Sequence, residues 1–223
     1  SLRKKTIKGL TWSSISQAGK QISQFVITAI LARLLSPNDF GLLGMAVVFT
    51  GFASIFNEIG LTGALIQKQD IEERHYHSVF WLNIAVGIIL MLLIRATSPL
   101  IAQFYNKPEL QPILTLISIS FLIASFGVVQ KTIFAKEMDF KKLAIVELTA
   151  VIFAGLVGIY FAFTGHGVWS LVYQMLTFTS VNMILLWLFS KWRPKFVFSI
   201  SAIKDIFHFS ANLAGFNIIN YFA

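Results

Sequence analysis

The sequence has no cysteine, few acidic residues and only five prolines. Without cysteine the chain can form no disulfide, no zinc–thiolate site and no thiolate nucleophile. Charged residues of both signs make up 13% of the 223 residues, and 56% are hydrophobic, whereas a typical soluble domain is about 25% charged. The clusters of turn residues that a many-stranded barrel needs are also scarce. These absences predict an all-α protein, a polytopic membrane helix bundle.

Motifs for catalysis are missing as well. No GxxxxGK(S/T) phosphate loop is present, and no Ser/His/Asp or paired-carboxylate arrangement points to hydrolysis. Glu72, Glu73, His75 and His77 lie close together in the sequence, but Arg74 stands among them, and a solvated cytoplasmic turn explains the group better than a metal site. We therefore expect no enzymatic activity, no metal and no cofactor.

Basic residues outnumber acidic ones, 18 to 10. A nucleic-acid-binding protein gathers such residues on one soluble face, whereas here they lie between apolar runs. Cytoplasmic loops of membrane proteins carry an excess of lysine and arginine, which explains the imbalance. We expect contact with membrane lipids and none with nucleic acid.

Six apolar segments are each close to the about 20 residues that cross a hydrocarbon core of about 30 Å. They cover residues 9–35, 40–67, 78–97, 112–129, 143–163 and 168–189. Pro99 and Pro108 predict an external loop over 99–111, and basic residues predict a cytoplasmic turn over 131–142. A seventh apolar run begins near Ile206. We assign residues 1–190 to an N-terminal lobe of six transmembrane helices, and residues 191–223 to a cytoplasmic linker and the start of helix 7 of an incomplete second lobe.

The positions of the basic residues predict the orientation of the chain. Fourteen of the 18 fall in segments that this topology places in the cytoplasm, and only Arg33, Arg95 and Lys107 fall on the other side. The remaining one, Lys20, lies within the first span. Because this asymmetry follows the positive-inside rule, we expect six complete crossings with the N-terminus in the cytoplasm.

The first apolar segment carries a polar stripe. At 3.6 residues per turn, Ser13, Gln17, Lys20 and Gln24 fall on one side of a helix. Lys20 is roughly 17 Å into the span at 1.5 Å per residue, too deep to reach an interface comfortably, and a lysine near the bilayer centre costs about 2.5–3.5 kcal/mol. Snorkelling is the alternative. We predict that these four side chains line a wet cavity and bind substrate there.

Three further charged residues are candidates for special roles. Glu58, in the second segment, lies at a depth comparable to that of Lys20. It is a candidate for a structural ion pair with Lys20. Alternatively, Glu58 binds a coupling cation or exchanges a proton. Glu147 lies near the start of the fifth segment, where the helix dipole favours a carboxylate, so we expect a structural role. Arg33, near an outer end, is a candidate outer gate.

Small and polar residues form a second stripe, on the second segment. Its members are Gly44, Gly51, Ser54, Glu58 and Thr62. Such a face suits either close packing against the first helix or the edge of a cavity.

Several short motifs together resemble a known family. They are LLSPNDFG at 34–41, EIGL at 58–61 with ALIQ at 64–67, AKEMDF at 135–140, GHGVWSLV at 165–172, and WRP at 192–194 followed by Phe198-Ser199. In this order the chain resembles the bacterial polysaccharide flippases, the O-antigen and exopolysaccharide exporters of the superfamily that also holds multidrug extruders. It is most similar to the colanic-acid type.

The resemblance implies two six-helix lobes around a central cavity in the bacterial inner membrane. It implies a secondary transporter that flips a polyprenyl-diphosphate-linked oligosaccharide from the inner to the outer leaflet, with Lys20 accepting the diphosphate. A polysaccharide polymerase and glycosyltransferases are the expected partners. The alternatives are a multidrug/cation antiporter of the same superfamily, and a non-transporting membrane scaffold in which Lys20 and Glu58 only hold helices together.

Overall fold

The computed structural model describes residues 2–57, 63, 65, 66, 68 and 70–208, with side chains from residue 17 onward except for residues 54–57. Within these residues all regular structure is helical, which confirms the all-α prediction. The helices are α1 (Leu2–Leu34), α2 (Pro37–Asn57), α3 (Glu73–Phe104), α4 (Leu110–Ser125), α5 (Val128–Lys136), α6 (Phe140–Phe163) and α7 (Val168–Phe189). Residues 200–208 are also helical.

Pro99 does not end a helix, so its predicted role as a breaker is wrong. It lies inside α3, which continues to Phe104. Proline has no N–H to donate to the carbonyl four residues earlier, which here belongs to Arg95. The hydroxyl of Ser98 donates to that carbonyl instead, at 2.8 Å. Because the carbonyl keeps a donor, the helix can pass through the proline.

Residues 131–142 do not form the predicted turn. Their first half, 131–136, belongs to α5, which is bent by 44° from α4 across a short break at Phe126 and Gly127. The carbonyl of Phe126, freed at the break, accepts a hydrogen bond from Trp187 Nε1 at 2.8 Å. The chain turns only afterwards, at Met138, which has a positive φ of 57°.

Asp139 begins α6 as its N-terminal cap. Its carboxylate accepts from the backbone N–H of Lys142 at 3.2 Å and pairs with the ammonium of Lys142 at 2.8 Å. Burial raises the pKa of this carboxyl, but the two hydrogen bonds and the positive charges of Lys142 and Lys141 outweigh burial and leave the pKa below its ordinary value. The cap therefore favours the charged form of Asp139.

The helices pack in an order that the sequence did not predict. α1 packs along α6 rather than α2, α6 along α7, and α3 along α4, while α2 lies over α4, α7 and α3. At Gly155 of α6, an added Cβ would lie 2.6 Å from Cγ1 of Ile27 on α1. A glycine at this position therefore lets α1 and α6 approach closely.

The small-residue stripe of α2 faces open space where the structure describes it. A Cβ built at Gly44 or Gly51 would meet no atom within 4 Å. The opposite face of α2, with Leu42, Ala46 and Ala53, is buried in the core formed with α3, α4 and α7. Exposure of Gly44 fits the edge of a cavity, and packing of this stripe against the first turns of α1, whose side chains lie outside the described residues, stays a prediction.

Three helices in the described part of the chain are long and apolar enough to cross a membrane, namely α3, α6 and α7, and α4 with α5 makes a fourth if the bent pair is one span. Six crossings remain a prediction, because the side chains of the first turns of α1 and of the end of α2 lie outside the described residues.

Candidate functional site

Lys20 forms an ion pair between two helices that run side by side. Its ammonium on α1 lies 2.9 Å from Oε2 of Glu147 on α6. Ile27, two turns farther along α1, packs at Gly155, two turns farther along α6. The two helices therefore run parallel in the same register, and Lys20 lies on the face of α1 that contacts α6.

Glu147 has a second cationic neighbour. Lys131 Nζ of α5 lies 3.8 Å from Oε1, the carboxylate oxygen that Lys20 does not contact. The three side chains carry two positive charges and one negative charge, so a net positive charge remains. The side chains of Lys20 and Glu147 are 23% and 29% exposed, so the pair can still be reached from outside. This arrangement can attract an anion and exchange partners with it.

A cavity of about 410 Å³ begins one helical turn beyond the ion pair. Gln24 and Thr28 of α1 line it, together with Gln174 of α7 and residues of α2 and α6, among them Leu43 and Val151. Gln24 and Val151 follow Lys20 and Glu147 by four residues on their helices, so the ion pair lies next to the cavity. The cavity thus combines amide and hydroxyl groups with an apolar wall, and has the charged group at one end.

The structure brings together only part of the predicted site. Lys20 and Gln24 lie on one face of α1 beside the cavity, and Gln17, one turn earlier, is exposed. Ser13 is in α1, but its side chain lies outside the described residues, as does all of Glu58. The proposed pair of Lys20 with Glu58 therefore stays a prediction. Arg33 is exposed in the last turn of α1.

The physical reason predicted for Glu147 is wrong. α6 begins at Phe140, earlier than the sequence suggested, so Glu147 is seven residues past the first residue of the helix. The helix dipole acts mainly within the first turn and does not explain a carboxylate at this position. The ion pairs with Lys20 of α1 and Lys131 of α5 explain it. No signal in the sequence pointed to this pair, because Lys20 lies deep in its segment and Glu147 near the start of its own.

Residues of the Glu72–His77 group attach the chain after α7 to the start of α3. Glu73 pairs with Lys195 Nζ at 3.1 Å, and His77 accepts from Lys195 N at 3.2 Å while its ring stacks on Trp192 at 5.3 Å. Trp81 Nε1 donates to Lys195 O at 2.9 Å. These contacts account for Glu73 and His77, whereas His75 accepts a hydrogen bond from the backbone N–H of Glu72 at 3.1 Å.

Comparison with known proteins places the chain in a family. Residues 30–223 match the family described as polysaccharide biosynthesis protein. The succinoglycan biosynthesis transport protein ExoT of Rhizobium meliloti is 29% identical over 98% of this chain and 44% of its own length. The teichuronic acid biosynthesis protein TuaB of Bacillus subtilis is 34% identical over 99% of this chain and 46% of its own. The lipopolysaccharide biosynthesis protein WzxC of Escherichia coli is 29% identical over 99% and 45%. No solved structure matches the chain.

The chain spans a little under half the length of these curated relatives. The matched region contains every motif on which the resemblance to the polysaccharide exporters was based, from LLSPNDFG at 34–41 to Phe198-Ser199. The resemblance is thereby confirmed. The apolar helices α3, α6 and α7 are those of an integral membrane protein. This chain belongs to the polysaccharide biosynthesis protein family.

Proposed function

We propose that the chain is one lobe of a secondary transporter that flips a polyprenyl-diphosphate-linked oligosaccharide from the inner to the outer leaflet for surface polysaccharide export. The observation that carries the proposal is the net positive group of Lys20, Glu147 and Lys131 beside a cavity with amide and hydroxyl walls. The family supports it, and one relative, ExoT, is named a transport protein.

In this proposal the diphosphate replaces Glu147 as the partner of Lys20. Loss of the only cationic partner of a buried or half-buried carboxylate strongly destabilises a protein. Glu147 avoids that penalty because Lys131 lies 3.8 Å from its other oxygen. The exchange therefore leaves no charge unpaired, and it is reversible, which a carrier requires. Gln24, Thr28 and Gln174 offer hydrogen bonds to sugar hydroxyls in the adjoining cavity, and Ser13 and Gln17 extend the polar stripe along α1.

The rest of the proposal concerns the whole protein. The chain crosses the bacterial inner membrane with its N-terminus in the cytoplasm, and a second six-helix lobe faces the exposed side of α2, where Gly44 lies. Alternating access follows from rocking of the two lobes about the shared site. The protein carries out no enzymatic step itself. Glycosyltransferases supply the lipid-linked oligosaccharide, and a polysaccharide polymerase uses it after flipping.

Paired substitutions separate substrate binding from helix packing. Methionine keeps the length of lysine or glutamate without its charge. We expect the single variant Lys20→Met and the double variant Lys20→Met/Glu147→Met to abolish surface polysaccharide. Each variant protein should still reach its normal abundance in the membrane. Export fails because both variants lack the cation that holds the diphosphate. Glu147→Met alone should keep most of the export. Lys131→Met, which removes the same charge from the other side of Glu147, is the matched control and should have a smaller effect than Lys20→Met.

Recovery of export in the double variant would contradict the proposed role of Lys20. It would mean that Lys20 only joins α1 to α6, as in the scaffold alternative. A deletion strain with normal surface polysaccharide but raised drug susceptibility would favour the multidrug/cation antiporter instead.

A further inference from the structure

A second groove lies between α3, α4 and α7, and much of its wall is apolar, with Pro112, Leu116 and Ile119. Its volume is about 570 Å³, and its polar lining consists of Arg95, Ser98, Gln111, Thr115 and Trp169. The groove is on the outside of the bundle: Ile113 and Ile117 of α4 are buried in the core below α2, whereas Thr115 of the same helix lines the groove.

Arg95 is exposed in this groove without an acidic partner. Among the residues that the structure describes, no carboxylate forms an ion pair with it, and none of the residues lining the groove is acidic. An arginine in a membrane helix normally has a counter-charge or faces water. The guanidinium therefore offers its hydrogen-bond donors to something outside the chain.

By residue count, Arg95 lies near one expected boundary of the membrane. The charged residues Glu72, Glu73 and Arg74 mark one membrane boundary, and about 20 residues counted from Ser78 reach the other boundary near Thr97. Arg95 lies just inside it. Trp169, in the first turn of α7, lines the same groove, and tryptophan is enriched at this interface.

We propose that this groove binds the phosphate of a membrane lipid, with Arg95 as its principal ligand. Arginine presents a planar fork of donors that fits two phosphate oxygens at once. The Gln111 side chain, in the first turn of α4, lines the same groove and offers amide N–H donors to a second phosphate oxygen.

A hydroxyl of the groove serves a different part of the lipid. Ser98 Oγ donates to Arg95 O and Thr115 Oγ1 donates to Gln111 O, both at 2.8 Å. Ser98 is buried, whereas Thr115 is partly exposed. Because its hydrogen is used, Thr115 Oγ1 remains as an acceptor for a hydroxyl of the lipid headgroup. A headgroup that carries both phosphate and hydroxyl groups, such as a glycerol or a sugar phosphate, matches this lining.

Two sources supply that chemistry, a bilayer phospholipid and the lipid diphosphate that is transported. Either fits the groove, and because the transported diphosphate is also the ligand proposed for Lys20, its binding is compared in the Lys20→Gln background. The test is the affinity of the purified full-length protein for phosphatidylglycerol and for polyprenyl diphosphate, measured by native mass spectrometry in detergent, with diacylglycerol as the probe without phosphate. Loss of phosphatidylglycerol binding in the variants would identify the bilayer lipid, and loss of polyprenyl diphosphate binding the transported one.

We expect Arg95→Gln to weaken binding of at least one of these phosphate lipids by about tenfold or more, the range for a lost hydrogen bond to a charged group. Binding of diacylglycerol should stay the same. Lys107→Gln, which removes a positive charge from the same end of the bundle outside the groove, is the control and should change affinity by less than about twofold.

Equal affinities for the wild type and Arg95→Gln, or equal losses in Arg95→Gln and Lys107→Gln, would overturn the proposal. If Arg95→Gln lowers the yield of folded protein, Gln111→Leu provides the second variant. We expect it to weaken binding of the same lipid by about threefold, and unchanged binding would again overturn the site. Because the readout is lipid binding rather than export, a negative result here leaves the proposed transport function untouched.

Discussion

Gly155 lets α1 and α6 approach closely, and replacing it with valine should force these helices apart. The Cβ of any larger residue would lie 2.6 Å from Ile27 Cγ1 and 3.2 Å from Ile27 Cγ2. Ile27 is only 9% exposed, and its branched side chain has a stiff first torsion, so it cannot turn away. The backbones must separate instead.

The magnitude follows from two opposing effects. Overpacking of a well-packed contact costs typically about 1–3 kcal/mol, and the two extra methyl groups of valine place this case in the upper half of that range. The helix preference of valine over glycine offsets at most about 0.5 kcal/mol. We therefore expect Gly155→Val to lower the free energy of unfolding by about 2 kcal/mol. Since Lys20 lies two turns from Ile27, export should fall as well.

Unfolding by denaturant in detergent micelles, followed by helical circular dichroism, measures this effect. The matched control is Gly19→Val on α1, because a Cβ at Gly19 meets no atom within 4 Å. Adding Ile27→Ala to Gly155→Val should return part of the lost stability, since it removes the side chain in the way. Two results would contradict the described contact between α1 and α6. One is a Gly155→Val protein that is no less stable than Gly19→Val. The other is a further loss of stability when Ile27→Ala is added to Gly155→Val.

Two further predictions concern the end of the bundle where α3 and α6 begin. Asp139→Ala should lower stability at pH 7 by about 0.5–2 kcal/mol through loss of the cap. The pKa of Asp139 is lowered in the folded state. The wild type should therefore lose this contribution to stability as the pH falls below about 4, the ordinary pKa of an aspartate in the unfolded chain. The melting temperatures of the two proteins should converge as the pH falls through this range. Melting curves that differ equally at all pH values would contradict the cause. Trp81→Phe removes the donor to Lys195 O and should speed tryptic cleavage at Lys191 and Lys195 about threefold or more, whereas Trp169→Phe should not. Equal cleavage rates in the two variants would show that this hydrogen bond does not hold the segment.

The apolar segments were predictable from the sequence because hydrophobicity and length determine a membrane helix. The sixth predicted segment, 168–189, has the same bounds as α7, and the fifth predicted segment ends where α6 ends, at Phe163. Lys20 could also be singled out, since a charge inside an apolar run is visible in one dimension. Proline was misleading. At Pro99 the hydroxyl of the preceding serine donates the hydrogen bond that the proline nitrogen cannot. Nothing in the composition of the segment distinguishes this helix from one that ends at its proline.

Pairing between helices could not be predicted in the same way. The sequence placed Glu147 on a helix but not beside Lys20, because which helices become neighbours depends on packing at positions such as Gly155. The bend after α4 depends likewise on Trp187, which is 61 residues away from Phe126 in the chain. Arg95 was visible as a charge near an outer end, but its groove forms only when α3, α4 and α7 come together.

The most direct test of the proposed function is the affinity of the full-length protein for a polyprenyl-diphosphate-linked oligosaccharide, measured for the wild type, Lys20→Gln and Glu147→Gln. If the diphosphate and Glu147 compete for Lys20, Glu147→Gln should bind the substrate several-fold more tightly than the wild type, because an ion pair worth about 1 kcal/mol no longer has to be broken. Lys20→Gln should bind it at least about tenfold more weakly. Unchanged affinity in Lys20→Gln, or weaker binding in Glu147→Gln, would contradict the exchange of partners at Lys20.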